Sequence, residues 1–559
     1  MKNTAKLLAL LLSLVMVLSL CACGGSDAED TSADTAAPAP AADEAASAAE
    51  EAASAEGDAG EEAAPAPQML DELNVGNYGS MVFIGCWDPN HYFNPNASQG
   101  AKFLIYDQMF FQTENGADSR IFSDWYYEDD LTLVLELKDN IYFSNGDKMT
   151  GEDVLYSLNL YGNGILKTRT NCVDLENCYY EGNTIYIKYL AVDARGPLQL
   201  IASVLNKDWV EGLIEAAGGD EKAVDWYDSA VICGSGPYVL TDYATDSYGI
   251  FELRDDYWGL EEYGAIAKTI NCYYYSDQTT MLIEFEQGKL DVAYSISATD
   301  AERILNEGAG NNAAVGFAYG NANVGYIFSD ETDTFADVNK RLAFAHALDV
   351  EACTDMAFGL YGVPATSIFT TNMKYCVDGL SYAYDPDLSR ELLAAAGVDS
   401  IDFTLTCMAV NQFSSLAEIT QYYEAEVGIN MTLDIMEPLA AISILQAGNY
   451  PMQMGTGESN LALTDPDSIV GNYNTSPVAD YNMNNTDPEF TEMIAKGLST
   501  IDDDARRECY EWIQQRMYEN CYFVPICDSS AGLVYNSEMF EAPYTPGIAA
   551  PNVNILVLK

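Results

Sequence analysis

A sharp change of composition near residue 69 limits where this chain can fold. Residues 24–68 are almost entirely Ala, Glu, Asp, Ser, Thr, Gly and Pro, with 12 acidic residues and no Lys, Arg or aromatic residue. Such a segment has little apolar surface to bury, so we expect it to be disordered. Residues 69–559 are rich in aromatic residues and too long for a single hydrophobic core. We therefore expect a flexible tether followed by two or three lobes.

An apolar segment precedes the tether. Lys2 and Lys6 begin it, and the apolar run 7–21 has the length of a signal-peptide core, short of the roughly 20 residues of a membrane span. The run ends in LCAC (20–23), which resembles the bacterial lipobox L-x-A-C. This resemblance implies that 1–22 is a lipoprotein signal peptide and that Cys23 carries a lipid anchor. The alternative is an ordinary secreted protein with an incidental cysteine at this position.

The charge of the chain excludes some partners. Residues 69–559 contain 23 basic and 74 acidic residues. A basic patch is not expected on such a surface, which argues against nucleic-acid binding and against direct binding to anionic lipid. The acidic surface is interpreted mainly as a solubilising one.

The inventory of reactive residues argues against a metalloprotein or an enzyme. The chain has two histidines, His91 and His346, and no cluster of residues with metal-ligand spacing, so we expect no metal and no cofactor. It lacks G-x-S-x-G and H-E-x-x-H motifs, although a glycosidase that uses paired carboxylates stays open among so many acids. Eleven cysteines follow Cys23 at irregular spacing, and their pairing is open.

Short strands alternate with helices along residues 69–559, which favours an α/β protein. The patterns predict a hairpin over 131–143, a helix over 150–162 begun by Thr150, a strand over 183–191 and a helix over 196–219. They also predict a helix over 385–398, begun at Asp385 and ended by Gly397, and, over 504–526, a long helix that runs into a strand stopped by Pro525.

Six segments, in order, resemble one protein family. They are IYFSNGDKMTGEDVLYSLN (141–159), GSGPYVLTDYATDSYGIFELRDDYWG (234–259), QTTMLIEFEQGKLDVAYSIS (278–297), FADVNKRLAFAHALDVEACTDMAFGLYGVPATS (335–367), YDPDLSRELLAAAGV (384–398) and RRECYEWIQQRMYENCYFVPI (506–526). Together they resemble the family 5 extracellular solute-binding proteins of ABC importers, which include oligopeptide- and dipeptide-binding proteins. The resemblance covers about residues 80–559.

The resemblance implies a two-lobed, hinged α/β fold of the periplasmic-binding-protein kind, with an extra subdomain and a discontinuous first lobe. Lobe I is expected at 69–98, 229–318 and 526–559, the extra subdomain at 99–228, and lobe II at 319–525. Gly234, Gly236 and Pro237 are expected to fix the chain where it returns to lobe I.

The resemblance also implies a ligand site between the lobes. Peptide binders of the family place a carboxylate against the α-ammonium of the peptide, in a loop whose counterpart here is MGTGESNLALTDPDSIVGNYNT (454–475). The usual Trp is missing, and the expected aspartate falls near Ala462. Glu458 is the candidate substitute, and Asp465 and Asp467 are further candidates. Asp465 could instead only cap a helix ahead of Pro466.

Aromatic and polar residues at two strand ends complete the candidate site. The segment GCWDPNHYFNP (85–95) matches the end of a lobe I strand, so Trp87, Asp88 and Asn90 are candidates for the cleft. Tyr326, at the end of the first lobe II strand, is another. For each of these, a core or turn role is the expected alternative and the commoner one.

The sequence thus predicts a substrate-binding lipoprotein that captures a small solute and delivers it to the permease of an ABC importer, and not an enzyme. Short peptides are the expected solute, with an oligosaccharide or another metabolite as the alternative. A non-transport surface receptor with the same fold, or an extracellular hydrolase, are the other possibilities. The protein is expected to be a monomer anchored to the outer face of the cytoplasmic membrane of a single-membrane bacterium.

Overall fold

The computed structural model describes residues 69–78, 86–89, 102–113, 116–163, 170, 172–245, 247–329, 332–371, 373–409, 411–436, 440–441, 444, 450–458, 465–470, 487–543 and 556–559. All of them belong to one compact unit, Pro67–Lys559. The predicted signal peptide, the anchor Cys23, the tether and the candidate Asn90 lie outside the described residues.

The largest sheet of the described part runs in the order β16-β12-β17-β11-β1-β10-β9-β8, and β13 pairs with β17. β1 is parallel to both of its neighbours, whereas the other pairs are antiparallel. Its strands are β1 (Leu70–Tyr78), β8 (Tyr238–Ala244), β9 (Tyr248–Leu253), β10 (Ala267–Tyr275), β11 (Val292–Tyr294), β12 (Ala313–Phe328), β13 (Gly362–Pro364), β16 (Met452–Glu458) and β17 (Phe523–Asn536).

Three smaller sheets accompany the large one. An antiparallel sheet has the order β4-β5-β7-β6, β2 pairs with β3, and β14 runs parallel to β15. Their strands are β2 (Phe111–Thr113), β3 (Gly116–Asp118), β4 (Phe122–Asp129), β5 (Thr132–Leu137), β6 (Tyr179–Glu181), β7 (Thr184–Lys188), β14 (Ile401–Met408) and β15 (Ile429–Met436).

Helices occupy the faces and ends of these sheets, several of them beginning at an aspartate whose side chain accepts a hydrogen bond from the first turn. The described helices are α1 (Lys102–Ile105), α2 (Gly151–Asn163), α3 (Lys207–Ala216), α4 (Leu260–Tyr263), α5 (Gln278–Glu286), α6 (Ala298–Glu307), α7 (Val338–Ala347), α8 (Val350–Phe358), α9 (Pro386–Ala395), α10 (Asn411–Val427), α11 (Asp467–Val470), α12 (Pro488–Ser499) and α13 (Asp503–Glu519).

Two long strands connect the halves of the large sheet. Residues 313–318 of β12 pair with 531–536 of β17, beside β11, whereas residues 322–327 of β12 pair with 523–529 of β17, beside β16. The register shifts between Ala318 and Ala322, in the middle of both strands. Irregular pairing of this kind lets a strand pair bend, so the shift marks the place where a hinge can operate.

The apolar side chains are buried in separate cores. Two clusters lie around β1, β10, β11 and α5, include Val75, Phe251 and Phe285, and are together called the lobe I core after the predicted lobe. Two more lie around β12, α7, α10 and α13, include Tyr326 and Tyr510, and are together called the lobe II core. The buried residues of a fifth cluster, here called the subdomain core, all lie between Met109 and Cys233. Separate cores joined by two strands are expected of a hinged protein.

The fold class predicted from the sequence is confirmed, and so are several elements. The helix predicted over 385–398 is α9, with Asp385 as its N-cap and Gly397 following it at φ +75°. The helix predicted over 150–162 is α2, and its Asp153 accepts hydrogen bonds from the amide and the hydroxyl of Thr150. The strand predicted over 183–191 is β7. The lobe and subdomain boundaries stay a prediction.

Three local predictions were wrong. The hairpin over 131–143 does not form, because β5 pairs with the preceding β4 and the distant β7. The helix over 196–219 is limited to α3, after a short 3-10 turn at Gly196–Gln199 and a buried extended stretch. β17 continues through Pro525, which sits at a register shift where its missing N–H does not interrupt the pairing.

At the predicted turn of Gly234 and Gly236, the backbone lies very close to the backbone of Ile105. The N–H of Gly236 donates to the carbonyl of Ile105 at 2.8 Å. A Cβ on Gly234 would lie 2.0 Å from the same carbonyl oxygen. The buried guanidinium of Arg254 donates to the carbonyls of Gly234 and Gly236 and to that of Phe143. These contacts hold the chain in place just before β8.

Candidate functional site

Two of the lobe I candidates are buried in the lobe I core. Trp87 is 3% exposed, its amide donates to the Trp226 carbonyl at 2.8 Å, and its ring packs edge-on against Tyr243 at 5.4 Å. Its indole nitrogen is buried without a hydrogen-bond partner. Asp88 is fully buried. In this structure neither side chain is open to a cleft.

Tyr326 is likewise buried. Its ring is fully inaccessible in the lobe II core, at 5.2 Å from Phe344, and its hydroxyl donates to Oγ1 of Thr420 at 2.7 Å. One turn further along α10, Glu424 is fully buried and both its carboxylate oxygens have no hydrogen-bond partner. Burial raises the pKa of Glu424 well above its ordinary value, so the group is held as a neutral acid.

The two aspartates of the D-P-D segment lie together, and both are bound by arginines. Asp465 accepts from both terminal nitrogens of Arg506, at 2.7 and 2.9 Å, and also from the amide of Asp467 at 3.0 Å. Asp467 begins α11, and its carboxylate lies 3.7 Å from Nη1 of Arg195. Glu458 is the last residue of β16, opposite Ala322.

Arg195 extends this group to a distant part of the chain. Its guanidinium binds Asp193 through Nε at 3.0 Å and Nη2 at 2.6 Å. We call Asp193, Arg195, Asp465, Asp467 and Arg506 the arginine–aspartate cluster. All five are largely buried, with side-chain exposures between 0 and 12%. Buried charges are tolerated when they are paired and hydrogen-bonded, as these are.

The cluster carries one more carboxylate than guanidinium groups. Burial raises the pKa of Asp467 to about 6, and the neighbouring carboxylates Asp465 and Asp193 add to the effect, whereas Arg195 and Arg506 oppose it. The excess negative charge is therefore partly relieved by protonation in mildly acidic solution.

A second polar group lies on the hinge strands, on the other face of the sheet from Tyr326. Nδ2 of Asn323 donates to the Asp528 carboxylate at 2.9 Å and to the Ser367 carbonyl at 2.8 Å. Asp528 also accepts from the amide of Thr371 at 3.1 Å. Burial raises the pKa of Asp528 to about 6. The amide of Gln453, on β16, is fully buried with no hydrogen-bond partner for either polar atom.

We expect the free energy of unfolding to fall as pH rises from 4.5 to 7. Asp467 and Asp528 have folded pKa values of about 6 against an ordinary 3.8, so between these values the folded state binds more protons than the unfolded state. Their stabilising contribution is full below the unfolded pKa and is lost as pH passes the folded one, by about 2 kcal/mol per group. Urea unfolding across this range would measure it.

The variant Asp528→Asn provides the control for this prediction. Since the amide does not titrate, its stability should change less between pH 4.5 and 7 than that of the wild type. A wild-type stability that instead rises over this range would contradict the prediction.

The structure offers little support for hydrolytic chemistry. Nδ1 of His346 lies 2.7 Å from the carbonyl oxygen of Ala383, and its ring packs edge-to-face against the ring of Tyr382. Within the described ranges, no group of three or more His, Cys, Asp or Glu side chains could hold a metal ion. The ten cysteines from Cys172 to Cys527 are free thiols. No helix in the described part of the chain is long and apolar enough to cross a membrane.

Neither arginine of the cluster was predicted from the sequence as a site residue. The role of Arg506 could have been predicted, because Arg506 lies on the same buried face of α13 as Cys509, Tyr510 and Ile513. A charged residue on an apolar helix face implies a buried partner of opposite charge. Arg195 lies in a loop without periodicity, so its role depends on a contact that no local pattern contains.

Separate cores joined by the two long strands β12 and β17 are the architecture of a hinged binding protein. The family described as "Bacterial extracellular solute-binding proteins, family 5 Middle" matches residues 119–480. The chain belongs to this family, as the resemblance predicted. Its role is that of a solute-binding protein for an ABC importer, and the family is not one of enzymes.

Relatives with different ligands match this chain. The nickel-binding periplasmic protein of Escherichia coli strain K12 is 24% identical over 518 residues, covering 83% of this chain and 91% of the relative. The dipeptide-binding protein of the same strain is 24% identical over 345 residues, covering 59% of this chain and 61% of the relative. A dipeptide-binding protein from Pseudoalteromonas sp. SM9913, solved with Met-Leu, has a TM-score of 0.73 and 18% identity, covering 87% of this chain and 100% of that one. That likeness shows the fold.

Proposed function

We propose that this protein captures short peptides between its lobes and passes them to the permease of an ABC importer. In this proposal a lipid on Cys23 holds it at the outer face of the cytoplasmic membrane, and residues 24–68 tether the binding unit. The observation that most supports this proposal is the strand pair β12 and β17. It joins the lobe I core to the lobe II core and has a register shift between them. Such a connection allows closure around a solute.

The peptide assignment is supported by the relatives that bear this name and by the position of Glu458. One dipeptide-binding relative is 24% identical to this chain over 345 aligned residues, and the other shares its fold at 18% identity. Glu458 ends β16, and the resemblance implies that the segment that contains it is the counterpart of the ammonium-binding loop of peptide binders. Asp465 and Asp467 are less suited to that role, because both are engaged by arginines.

A second candidate solute is a metal chelate. The broad match to the nickel-binding relative, over 83% of this chain, favours it. A chelate that brings its own ligands would not require a cluster of protein ligands. An oligosaccharide or another metabolite stays a further alternative.

Mass spectrometry of the molecules released on denaturing the gently purified protein tests these candidates. A set of short peptides would support the peptide proposal, because closed binding proteins release their ligands slowly. A single sugar or another metabolite would contradict it, and a stoichiometric metal in the same sample, measured by elemental analysis, would favour the chelate. If nothing is released, thermal-shift screening replaces this step.

For any peptide found, calorimetry should show that its free amino group is recognised. N-acetylation is expected to weaken binding at least 100-fold, because the charge-assisted contact is lost and the carboxylate stays unpaired. Glu458→Gln should weaken binding of the free peptide to a similar extent but leave the acetylated one unaffected. Glu426→Gln, at an exposed position of α10, is the matched control and should bind like the wild type. Equal affinity for both peptide forms would refute ammonium recognition.

A further inference from the structure

The arginine–aspartate cluster joins parts of the chain that the hinge strands separate. Asp193 and Arg195 precede β12 and follow segments of the subdomain core. Asp465, Asp467 and Arg506 lie between β12 and β17, beside the lobe II core. β12 and β17 are the covalent connection between the two parts of the protein. The contact between the 193–195 segment and the residues on the lobe II side is therefore a non-covalent one.

Two contacts cross this boundary directly. The amide of Ala194 donates to the carbonyl of Leu498 at 2.8 Å, near the end of α12. Nη1 of Arg195 lies 3.7 Å from the Asp467 carboxylate. On the lobe II side, Nε of Arg506 donates to the adjacent Gly497 carbonyl at 3.0 Å. The same arginine therefore braces both the helix end and the carboxylates that the 193–195 loop meets.

The loop is arranged to present Arg195. The Asp193 carboxylate accepts from the Arg195 amide at 3.0 Å as well as from the guanidinium, and Gly196 follows with φ +63°, a left-handed conformation. A guanidinium fixed in this way loses little entropy when it meets a second carboxylate.

We propose that Arg195 is a positioning residue that latches the subdomain to lobe II and thereby sets the population of the closed form. Opening the hinge separates Arg195 from Asp467 and breaks the Ala194–Leu498 hydrogen bond. In the open form the Asp467 carboxylate gains water, whereas in the closed form it depends on Arg195 for compensation. Removing Arg195 therefore penalises the closed form more than the open form, and the apparent solute affinity falls with the closed fraction.

Hydrogen exchange of the purified protein tests this latch. The Arg195→Ala variant is expected to accelerate exchange of the 192–196 amides at least 10-fold, because opening exposes the Ala194 amide. Amides of 132–137, which are hydrogen-bonded in β5 within the subdomain, should exchange as in the wild type. Arg390→Ala, which removes an exposed arginine paired within α9, is the matched control and should change neither segment.

Two outcomes would overturn the proposal. Unchanged exchange at 192–196 in Arg195→Ala would show that the contact does not hold the closed form. Equal acceleration at 192–196 and 132–137 would show that Arg195 only stabilises the subdomain. If that variant does not fold, Arg195→Gln replaces it, with acceleration at 192–196 again expected. The proposal rests on the hinged solute-binding function, but the measurement needs no solute, so its failure is distinguishable from failure of the peptide assignment.

Discussion

Gly234→Ala is expected to lower the free energy of unfolding by about 4 kcal/mol or more, or to prevent folding. The new Cβ would lie 2.0 Å from the carbonyl oxygen of Ile105. Backbone atoms cannot rotate away as a side chain can, and the same carbonyl accepts the hydrogen bond of Gly236. Relief would require moving two chain segments apart, at a cost in the range of the most damaging single substitutions.

Gly212→Ala is the matched control for this substitution. Gly212 lies within α3 and has open space where a Cβ would be placed. Since alanine favours a helix, this variant should gain about 0.5–1 kcal/mol. Unfolding of both variants in guanidinium chloride measures the two effects. A Gly234→Ala protein as stable as the wild type would show that the close approach to Ile105 is absent in solution.

Arg506→Ala is expected to cost about 3–5 kcal/mol of folding free energy. Arg506 is 4% exposed and binds both oxygens of Asp465. Its removal would leave the buried carboxylates of Asp465 and Asp467 with Arg195 as the remaining arginine of the cluster, and an uncompensated buried charge is strongly destabilising. The loss should shrink in mildly acidic solution, where Asp467, whose pKa burial raises to about 6, binds a proton.

Substitution of the neighbouring Arg507 tests whether the expected loss for Arg506→Ala depends on burial of the ion pair. Arg507 lies on the same helix but is about half exposed, and it pairs with Asp503 one turn away. Arg507→Ala should therefore change stability by less than about 0.5 kcal/mol, as for other exposed pairs. A loss for Arg507→Ala as large as that for Arg506→Ala would mean that helix propensity, and not the buried ion pair, explains the effect.

The candidate site illustrates how far sequence patterns reach. The sequence shows that Asp465 and Asp467 are neighbours, yet their partners Arg506 and Arg195 are respectively 41 and 272 residues from the aspartates they bind. Trp87 and Tyr326 were considered both as cleft and as core residues, and the structure buries both. Exposure depends on what packs against a strand end, which the residue and its neighbours do not specify.

Local sequence patterns were enough to identify the family. They were also enough to predict the helices and strands whose start and end are set by neighbouring residues. The α9 helix was predictable because Asp385 caps its start and Gly397 follows its end, and both effects act through adjacent backbone groups. The partners of β5, the passage of β17 through Pro525 and the arginine–aspartate cluster were not predictable in this way. They depend on segments brought together by the burial of distant apolar surfaces, and hydrogen bonds and ion pairs between such segments follow from the packing rather than from the order of neighbouring residues.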